Sequence, residues 1–283
     1  MRVVKVAVSF AVLLGGFLVF SLLSFWLAVR PPRLAIPLTP ADVGLRVEEL
    51  AVTTDDGLRL AAWLVPRPGA PGVILLHGYP ADKADMLPLA ASLAPHFSVL
   101  LLDLRYFGAS EGRATTLGFR ERGDLRRAID VLSARGADAV GVFGFSLGGA
   151  VALLAAAEDP RIRAVAAYAP FADVRQLGHE LYAWLGPLRR PLVALMLVWA
   201  RAVFGHDISR PAPVDAAATL TIPVLLLASR EDEQIPFAHA ERLRDALAAN
   251  ARAELVVLAH GRHGELPADF GARLARFFLL YVR

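Results

Sequence analysis

The 283-residue sequence contains no cysteine, and its only lysines are Lys5 and Lys83. The absence of cysteine excludes disulfide bonds, thiolate zinc sites and a cysteine nucleophile, although a chain of this length can bury a sufficient core without them. The chain after the N-terminal segment also lacks a net positive charge. Four of the 30 basic residues lie in residues 1–33, which contain no acidic residue, so 26 basic residues remain against 27 acidic ones. The resulting charge of −1 argues against a basic surface, and we expect no nucleic-acid partner.

Residues 6–29 form one long hydrophobic run of 24 residues without a charge. About 20 apolar residues suffice to cross the hydrocarbon core of a bilayer. The run exceeds the core of about 7–15 residues in a cleavable signal peptide, and its end offers no cleavage site of small residues. We therefore expect an uncleaved membrane anchor rather than a removed signal peptide. Two basic residues flank each side, so charge does not decide the orientation, whereas a signal-anchor mechanism would place the globular domain outside the cytoplasm.

Three parts of the chain follow from this pattern. Residues 1–33 are predicted to be the N-terminal membrane anchor, residues 34–46 a linker, and residues 47–283 a globular domain. Four prolines between positions 31 and 40 favour a short and stiff connection. The sequence contains no repeat period, and nothing in it indicates a protein partner.

The globular part alternates between strand-like and helix-like segments after a hairpin at residues 47–65. Short apolar runs without polar alternation are typical of strands buried on both faces, and strand-helix alternation requires a parallel sheet. The sequence thus predicts an α/β fold, a mostly parallel sheet with helices on both faces. The predicted strands lie at 73–76, 99–102, 139–145, 162–168, 224–228 and 255–258, and the predicted helices at 86–94, 120–134, 147–158, 238–249 and 268–281.

About 50 residues separate the strands at 162–168 and 224–228, more than one crossover helix needs. Large apolar residues recur there at steps of three and four, and Pro187 and Pro191 are expected to break the run into two helices. We interpret residues 172–215 as a lid whose apolar face, with Leu192, Leu195 and Trp199, covers the substrate site. The alternative is a pair of helices that only packs on the sheet edge. The uncharged stretch at 191–200 is too short to form a second membrane span.

Ser146 lies in the sequence Gly144-Phe-Ser-Leu-Gly148, between a predicted strand and a predicted helix. Such a strand-turn-helix context is typical of a nucleophile elbow, in which glycines make room where strand and helix approach. The free N–H of Leu147 at the helix start would be the first donor to an oxyanion. The alternative is a serine that only caps the helix.

A second motif, His77-Gly78-Tyr79-Pro80, follows the predicted strand at 73–76. Gly78 lets the backbone bend across the site, so that the N–H of Tyr79 can be the second oxyanion donor. We expect His77 to hold the loop by a hydrogen bond rather than to act as a base.

Together these motifs resemble the α/β-hydrolase superfamily, in particular its monoacylglycerol-lipase-like and serine-aminopeptidase-like branch. The resemblance also includes Asp103–Gly112 and spans residues 47–283. The usual Arg-Gly-x-Gly core of that loop is altered to Arg105-Tyr-Phe-Gly108. The family order of nucleophile, acid and base implies that Asp103 and Ser110 are structural.

The acid and the base of this order follow the last two predicted strands. The resemblance favours Asp232 as the acid, because it stands just before Ile235-Pro236, while Glu231 and Glu233 compete for the role. The acidic cluster could instead complement the positive end of the following helix.

For the base, the family ending Gly-x-x-His-Gly matches Gly261, His263 and Gly264 and so favours His263 over His260. The alternative, that His260 and His263 bind a metal, is not favoured because the sequence offers no third ligand at a recognisable spacing.

We therefore expect a membrane-anchored serine hydrolase that cleaves a carboxylic ester through an acyl-enzyme, with a lipid-like ester as substrate. No cofactor and no metal are implied. A non-catalytic membrane scaffold is the alternative from another class, and peptidases, thioesterases and acyltransferases are alternatives on the same fold.

Overall fold

The computed structural model describes residues 2–282, with side chains from residue 3. A single mixed sheet of eight strands forms the centre of the molecule, in the order β1-β2-β4-β3-β5-β6-β7-β8. The strands are β1 (Glu48–Thr53), β2 (Arg59–Val65), β3 (Gly72–Leu76), β4 (Ser98–Leu102), β5 (Val140–Phe145), β6 (Ile162–Tyr168), β7 (Val224–Ser229) and β8 (Ala253–Leu258).

Helices cover both faces of this sheet. They are α2 (Leu87–Leu93), α3 (Glu121–Ser133), α4 (Leu147–Ala156), α7 (Pro213–Ala217), α8 (Ala238–Ala246) and α9 (Phe270–Tyr281). The N-terminal helix α1 spans Arg2–Val29, and the lid contains α5 (Val174–Leu181) and α6 (Arg189–Phe204). Short 3-10 helices lie at Pro40–Val43, Lys83–Met86 and Ala183–Leu188.

The first strands pair antiparallel, β1 with β2 and β2 with β4, and the remaining pairs are parallel. Central strand β3 is buried along its whole length, as its continuous apolar sequence requires. Its successive side chains alternate between two cores, since Ile74 and Leu76 face one helical layer and Val73 and Leu75 face the other. The predicted α/β architecture, its hairpin and its parallel strands are confirmed.

The insertion that the sequence interprets as a lid lies between β6 and β7, and we keep the name for it, but its internal break differs from the expected one. Pro187 lies within the 3-10 helix, whereas Pro191 is in the first turn of α6, where the missing N–H of proline costs no intrahelical bond. The non-helical backbone is at Gly186, with φ 55° and ψ −128°. The two helical arms of the lid are bent by 117° to one another.

Helix α1 is divided into a free half and a docked half. Residues 3–16 are exposed throughout, while Ser21, Ser24, Phe25 and Val29 are buried on one face against the lid. The indole Nε1 of Trp199 in α6 donates a hydrogen bond to the Ser21 hydroxyl at 3.0 Å. The segment predicted as a separate membrane anchor, residues 1–33, therefore makes contacts with the globular domain.

The segment predicted as a linker, residues 34–46, is also attached to the domain. Leu34 N–H donates to the carbonyl of Pro80, and Ile36 N–H donates to the carboxylate of Asp82. The side chains of Ile36 and Leu38 pack on one of the two cores. This segment is thus a fixed strap rather than a free spacer.

Helix α4 approaches strand β5 and the end of strand β3 so closely that a glycine is required at each contact. A Cβ at Gly144 would lie 2.1 Å from the carbonyl oxygen of Gly148, and a Cβ at Gly148 would lie 2.5 Å from the carbonyl oxygen of Leu76. Backbone atoms on both sides leave no flexible group that could move aside.

We predict that Gly144→Ala lowers the free energy of unfolding by about 3 kcal/mol, because the added methyl group collides with backbone. Gly123 in α3 is the matched control, since its Cβ would meet nothing within 4 Å. Gly123→Ala should raise the free energy of unfolding by up to about 1 kcal/mol through helix propensity. Urea unfolding followed by tryptophan fluorescence measures both, and equal stabilities would contradict the close approach.

Candidate active site

Ser146 occupies the sharp turn between β5 and α4, as predicted. Its backbone has φ 51° and ψ −113°, a conformation that non-glycine residues rarely adopt. The N–H of Ser146 donates to the carbonyl of Tyr168 at 2.8 Å, which fixes the turn to the neighbouring strand β6. The side chain is mostly buried and lines a cavity at the carboxyl end of the sheet.

Two backbone N–H groups lie in the wall of the same cavity. Leu147 is the first residue of α4, and Tyr79 follows β3; both line the cavity beside Ser146. Within residues 2–282 neither N–H donates a hydrogen bond. A free N–H at a helix start and a second one in a facing loop are the donors that an oxyanion requires.

The loop that carries Tyr79 is held against the serine turn by buried contacts. A Cβ at Gly78 would lie 2.6 Å from the Phe145 ring, so the loop passes directly over the turn. Nε2 of His77 accepts from the Leu104 N–H at 3.0 Å, which leaves Nδ1 to donate to the Gly78 carbonyl at 2.8 Å. Burial lowers the pKa of His77, in keeping with this neutral, structural use.

Asp103 and Ser110 also have structural contacts. The Asp103 carboxylate accepts from both the N–H and the Nζ of Lys83, the latter at 2.6 Å. The Ser110 hydroxyl donates to the carbonyl of Asp103 and accepts from the N–H of Ala61. These bonds join the loop after β4 to its neighbours, away from the serine turn.

His263 and Asp232 are brought together from the loops after β8 and β7. His263 Nδ1 lies 2.8 Å from Asp232 Oδ2, and both side chains are almost fully buried. The carboxylate also accepts from the N–H groups of Gln234 and Ile235. Burial raises the pKa of Asp232, but the hydrogen bonds from His263 and Ile235 outweigh it, so this pKa lies below its usual value.

The ionised Asp232 fixes which nitrogen of His263 carries the proton. An ionised carboxylate only accepts, so Nδ1–H donates to it and Nε2 remains a free base. The His263 ring packs on the ring of Phe145 at 4.8 Å between centroids, and Phe145 directly precedes Ser146. No hydrogen bond joins the Ser146 hydroxyl to His263 in the described residues; such contacts often tighten only when substrate binds.

The competing residues are bound elsewhere. Glu231 contacts the exposed His260 at 3.1 Å, and Glu233 accepts from the backbone N–H of His263 rather than from its ring. His260 and His263 thus pair with different carboxylates and do not face a common ligand position. Asp232 and His263, which the sequence favours as acid and base, are the pair that the structure brings together.

A cavity of about 270 Å³ opens beside Ser146. Sixteen of its twenty lining residues carry no polar side-chain atom, and no charged residue among the described ones lines it. The lid contributes Val193, Met196, Leu197 and Ala200 from α6. An apolar cavity of this kind accepts an uncharged acyl group.

The lid residues predicted to contact substrate are not those that line the cavity. Leu192, Leu195 and Trp199 are absent from its wall, and the indole of Trp199 is turned toward Ser21 of α1. The sequence assigned the apolar stripe of α6, which includes these three residues, to substrate, and that contact stays a prediction. Part of that stripe instead packs against α1, which the sequence reasoning treated as separate from the domain.

Three wall residues that the sequence reasoning missed come from α1 itself, namely Phe25, Ala28 and Val29. One signal in the sequence could have indicated them. Ser21 and Ser24 are small polar residues on one face of an otherwise apolar helix, and such residues favour helix-helix contact.

The fold and this site define an α/β hydrolase, and the comparisons with known proteins agree. Residues 71–188 match the family model described as the alpha/beta hydrolase fold. The chain is 32% identical over 211 residues to the uncharacterized protein Rv2307c of Mycobacterium tuberculosis. The aligned residues cover 72% of this chain and 68% of that protein. The chain belongs to the α/β-hydrolase family.

Two further relatives are similar over more of the chain. The alpha/beta hydrolase domain-containing protein WAV2 of Arabidopsis thaliana is 28% identical over 242 residues, 80% of this chain and 75% of that protein. The esterase Pf2001 of Pyrococcus furiosus matches in structure with a TM-score of 0.74 and 24% identity, over 90% of this chain and 100% of that one. The structural likeness shows the shared fold.

We predict that Asp232→Asn lowers kcat for p-nitrophenyl acetate by about 10⁴-fold, because the imidazolium formed on His263 loses its counter-charge. Glu231→Gln and Glu233→Gln are the matched controls on the same loop. Each should cost less than about fivefold, since exposed ion pairs contribute at most about 1 kcal/mol. A larger loss of kcat for either control than for Asp232→Asn would show that Asp232 is not the acid.

Proposed function

We propose that the protein is a membrane-anchored serine hydrolase that cleaves carboxylic esters through an acyl-enzyme. His263 Nε2 accepts the proton of the Ser146 hydroxyl as Oγ attacks the carbonyl carbon. Asp232 stabilises the resulting imidazolium, and the N–H groups of Tyr79 and Leu147 bind the oxyanion. His263 then protonates the departing alcohol. In the second half of the reaction, His263 accepts a proton from water as the water attacks the acyl-enzyme, and returns that proton to Oγ of Ser146 as the acid product leaves.

The observation that carries this proposal is the strained turn at Ser146, which opens on an apolar cavity lined also by Tyr79 and Leu147, whose N–H groups have no partner within residues 2–282. Strain of this kind costs about 1–3 kcal/mol and persists only where the surrounding structure enforces it. A helix cap alone would not require it, because a capping serine has extended backbone and bonds the helix through its hydroxyl. The side chain of Ser146 makes no capping hydrogen bond.

An ester substrate is favoured over a peptide by the lining of the cavity. A peptide brings amide groups and charged termini that must be satisfied when they leave water. Gln234 is the sole amide side chain among the described lining residues, and none of those residues is charged. The esterase Pf2001 of Pyrococcus furiosus shares this fold, which supports the proposal of an esterase by analogy.

The anchor proposal rests on α1, which has the length and hydropathy of a membrane span over Val3–Val29. Cleavage near Val29, as for a signal peptide, would remove Phe25 and Ala28 from the cavity wall. Because Phe25 is buried and Ala28 half-buried in this wall, their position favours an anchor that stays attached. With the signal-anchor orientation, the hydrolase domain would lie outside the cytoplasm.

We predict that Ser146→Ala lowers kcat for p-nitrophenyl acetate by about 10⁶-fold, because no other group replaces the nucleophile. Ser133→Ala is the matched control, since the Ser133 hydroxyl is buried without a hydrogen-bond partner in the described structure. That control should keep wild-type activity. Both variants should unfold within a few degrees of wild type, and hydrolysis that survives Ser146→Ala would refute the proposal.

A further inference from the structure

The cavity beside Ser146 is lined by both α1 and the lid. Phe25, Ala28 and Val29 of α1 line it together with Met196 and Ala200 of α6, against which the end of α1 packs. Phe25 and Val29 are buried, with 2% and 1% of their surface exposed. The end of a helix with the composition of a membrane span is thus a structural part of the site.

Specific bonds hold the C-terminal end of α1 in this position. The last carbonyls of a helix have no partner within it, and here two of them are bound by the hydrolase domain. The Tyr79 hydroxyl donates to the Ala28 carbonyl at 3.2 Å, and the Thr115 N–H donates to the Val29 carbonyl at 3.0 Å. Tyr79 therefore both supplies an N–H to the cavity and fixes α1 beside it.

The chain that follows α1 is held by a residue in a costly conformation. Tyr106 has φ 76°, although it is not glycine. Its hydroxyl donates to the Pro31 carbonyl at 2.6 Å, and the guanidinium of Arg33 lies 4.7 Å from the centre of its ring. The loop that departs from the Arg-Gly-x-Gly pattern is thus the loop that binds the end of α1.

Length decides how the docked half of α1 lies relative to a bilayer. The exposed residues 3–16 rise about 21 Å, whereas the hydrocarbon core is about 30 Å thick and needs about 20 residues. Because Lys5 limits the uncharged run at its start, a full span extends at least to about residue 25. That span includes Ser21 and Phe25, which contact α6.

We propose that the last turns of α1 are a wall of the acyl-binding site, so that the acyl chain of a bilayer-dissolved ester lies against α1 and α6 where the two helices pack together. This inference rests on the proposed function and adds a substrate class to it: neutral lipid esters that reach Ser146 along the membrane helix. Ala28 is the specificity-determining position, because its small side chain lines the cavity and a larger one would fill part of it.

Ala28→Phe tests this wall in the full-length protein in detergent micelles. The added ring should displace about two methylene groups of a bound chain and so lower kcat/KM for p-nitrophenyl laurate at least about tenfold. Hydrolysis of p-nitrophenyl acetate should stay within about threefold, because an acetyl group does not reach α1. Leu27→Phe is the matched control, since Leu27 is the neighbouring residue and is 63% exposed; it should leave both esters unchanged.

Ala28→Leu, with a smaller addition, should show the same selective loss in lesser degree if the phenylalanine variant folds poorly. Equal losses on laurate and acetate in both Ala28 variants, or a laurate-to-acetate ratio equal to that of Leu27→Phe, would overturn the inference. Neither result affects the proposed function, which would instead fail if the wild-type protein hydrolysed neither ester.

Discussion

The contact between strand β5 and helix α4 is the constraint on which the site depends. Gly148 lets α4 approach the end of β3, and Gly144 lets the backbones of β5 and α4 approach to distances that no side chain permits. The turn between them then adopts a strained conformation and directs Ser146 toward the cavity at the carboxyl end of the sheet. Ligands of open α/β sheets bind at this end, because the loops that follow parallel strands meet there.

The loops after β3, β7 and β8 complete the arrangement from three other directions. Each is fixed by buried bonds: His77 holds the loop with Tyr79, and Asp232 holds His263. Such supports matter because a catalytic group must stay within a fraction of an ångström of its working position. The lid and α1 then line the cavity beside the serine with apolar side chains.

Most of the fold was predictable from sequence because its signals are local. Buried strands such as β6 read as continuous apolar runs, and the predicted limits of 162–168 coincide with Ile162–Tyr168. The serine turn was predictable for the same reason, as its glycines stand within two residues of Ser146. The roles of Asp232 and His263 needed the family order, since nothing local distinguishes Asp232 from its neighbours Glu231 and Glu233.

The packing of α1 on the lid was not predictable by the same reasoning. The apolar residues of α1 fit a bilayer and a protein partner equally well, so hydropathy alone does not indicate which face of the helix contacts lipid and which contacts protein. Trp199 was consequently assigned to substrate, whereas it binds Ser21, 178 residues earlier in the chain. A contact at such separation leaves only a weak trace in one sequence, here two serines on one side of an apolar helix.

The central claim is that Ser146 is the nucleophile of this fold. The most direct measurement is mass spectrometric mapping of the full-length protein after reaction with a fluorophosphonate, which phosphonylates an activated serine and releases fluoride. We expect a single adduct on the peptide that contains Ser146, and no adduct when the protein is unfolded in urea before the reaction. An adduct on another serine, or none on the folded protein, would contradict the account.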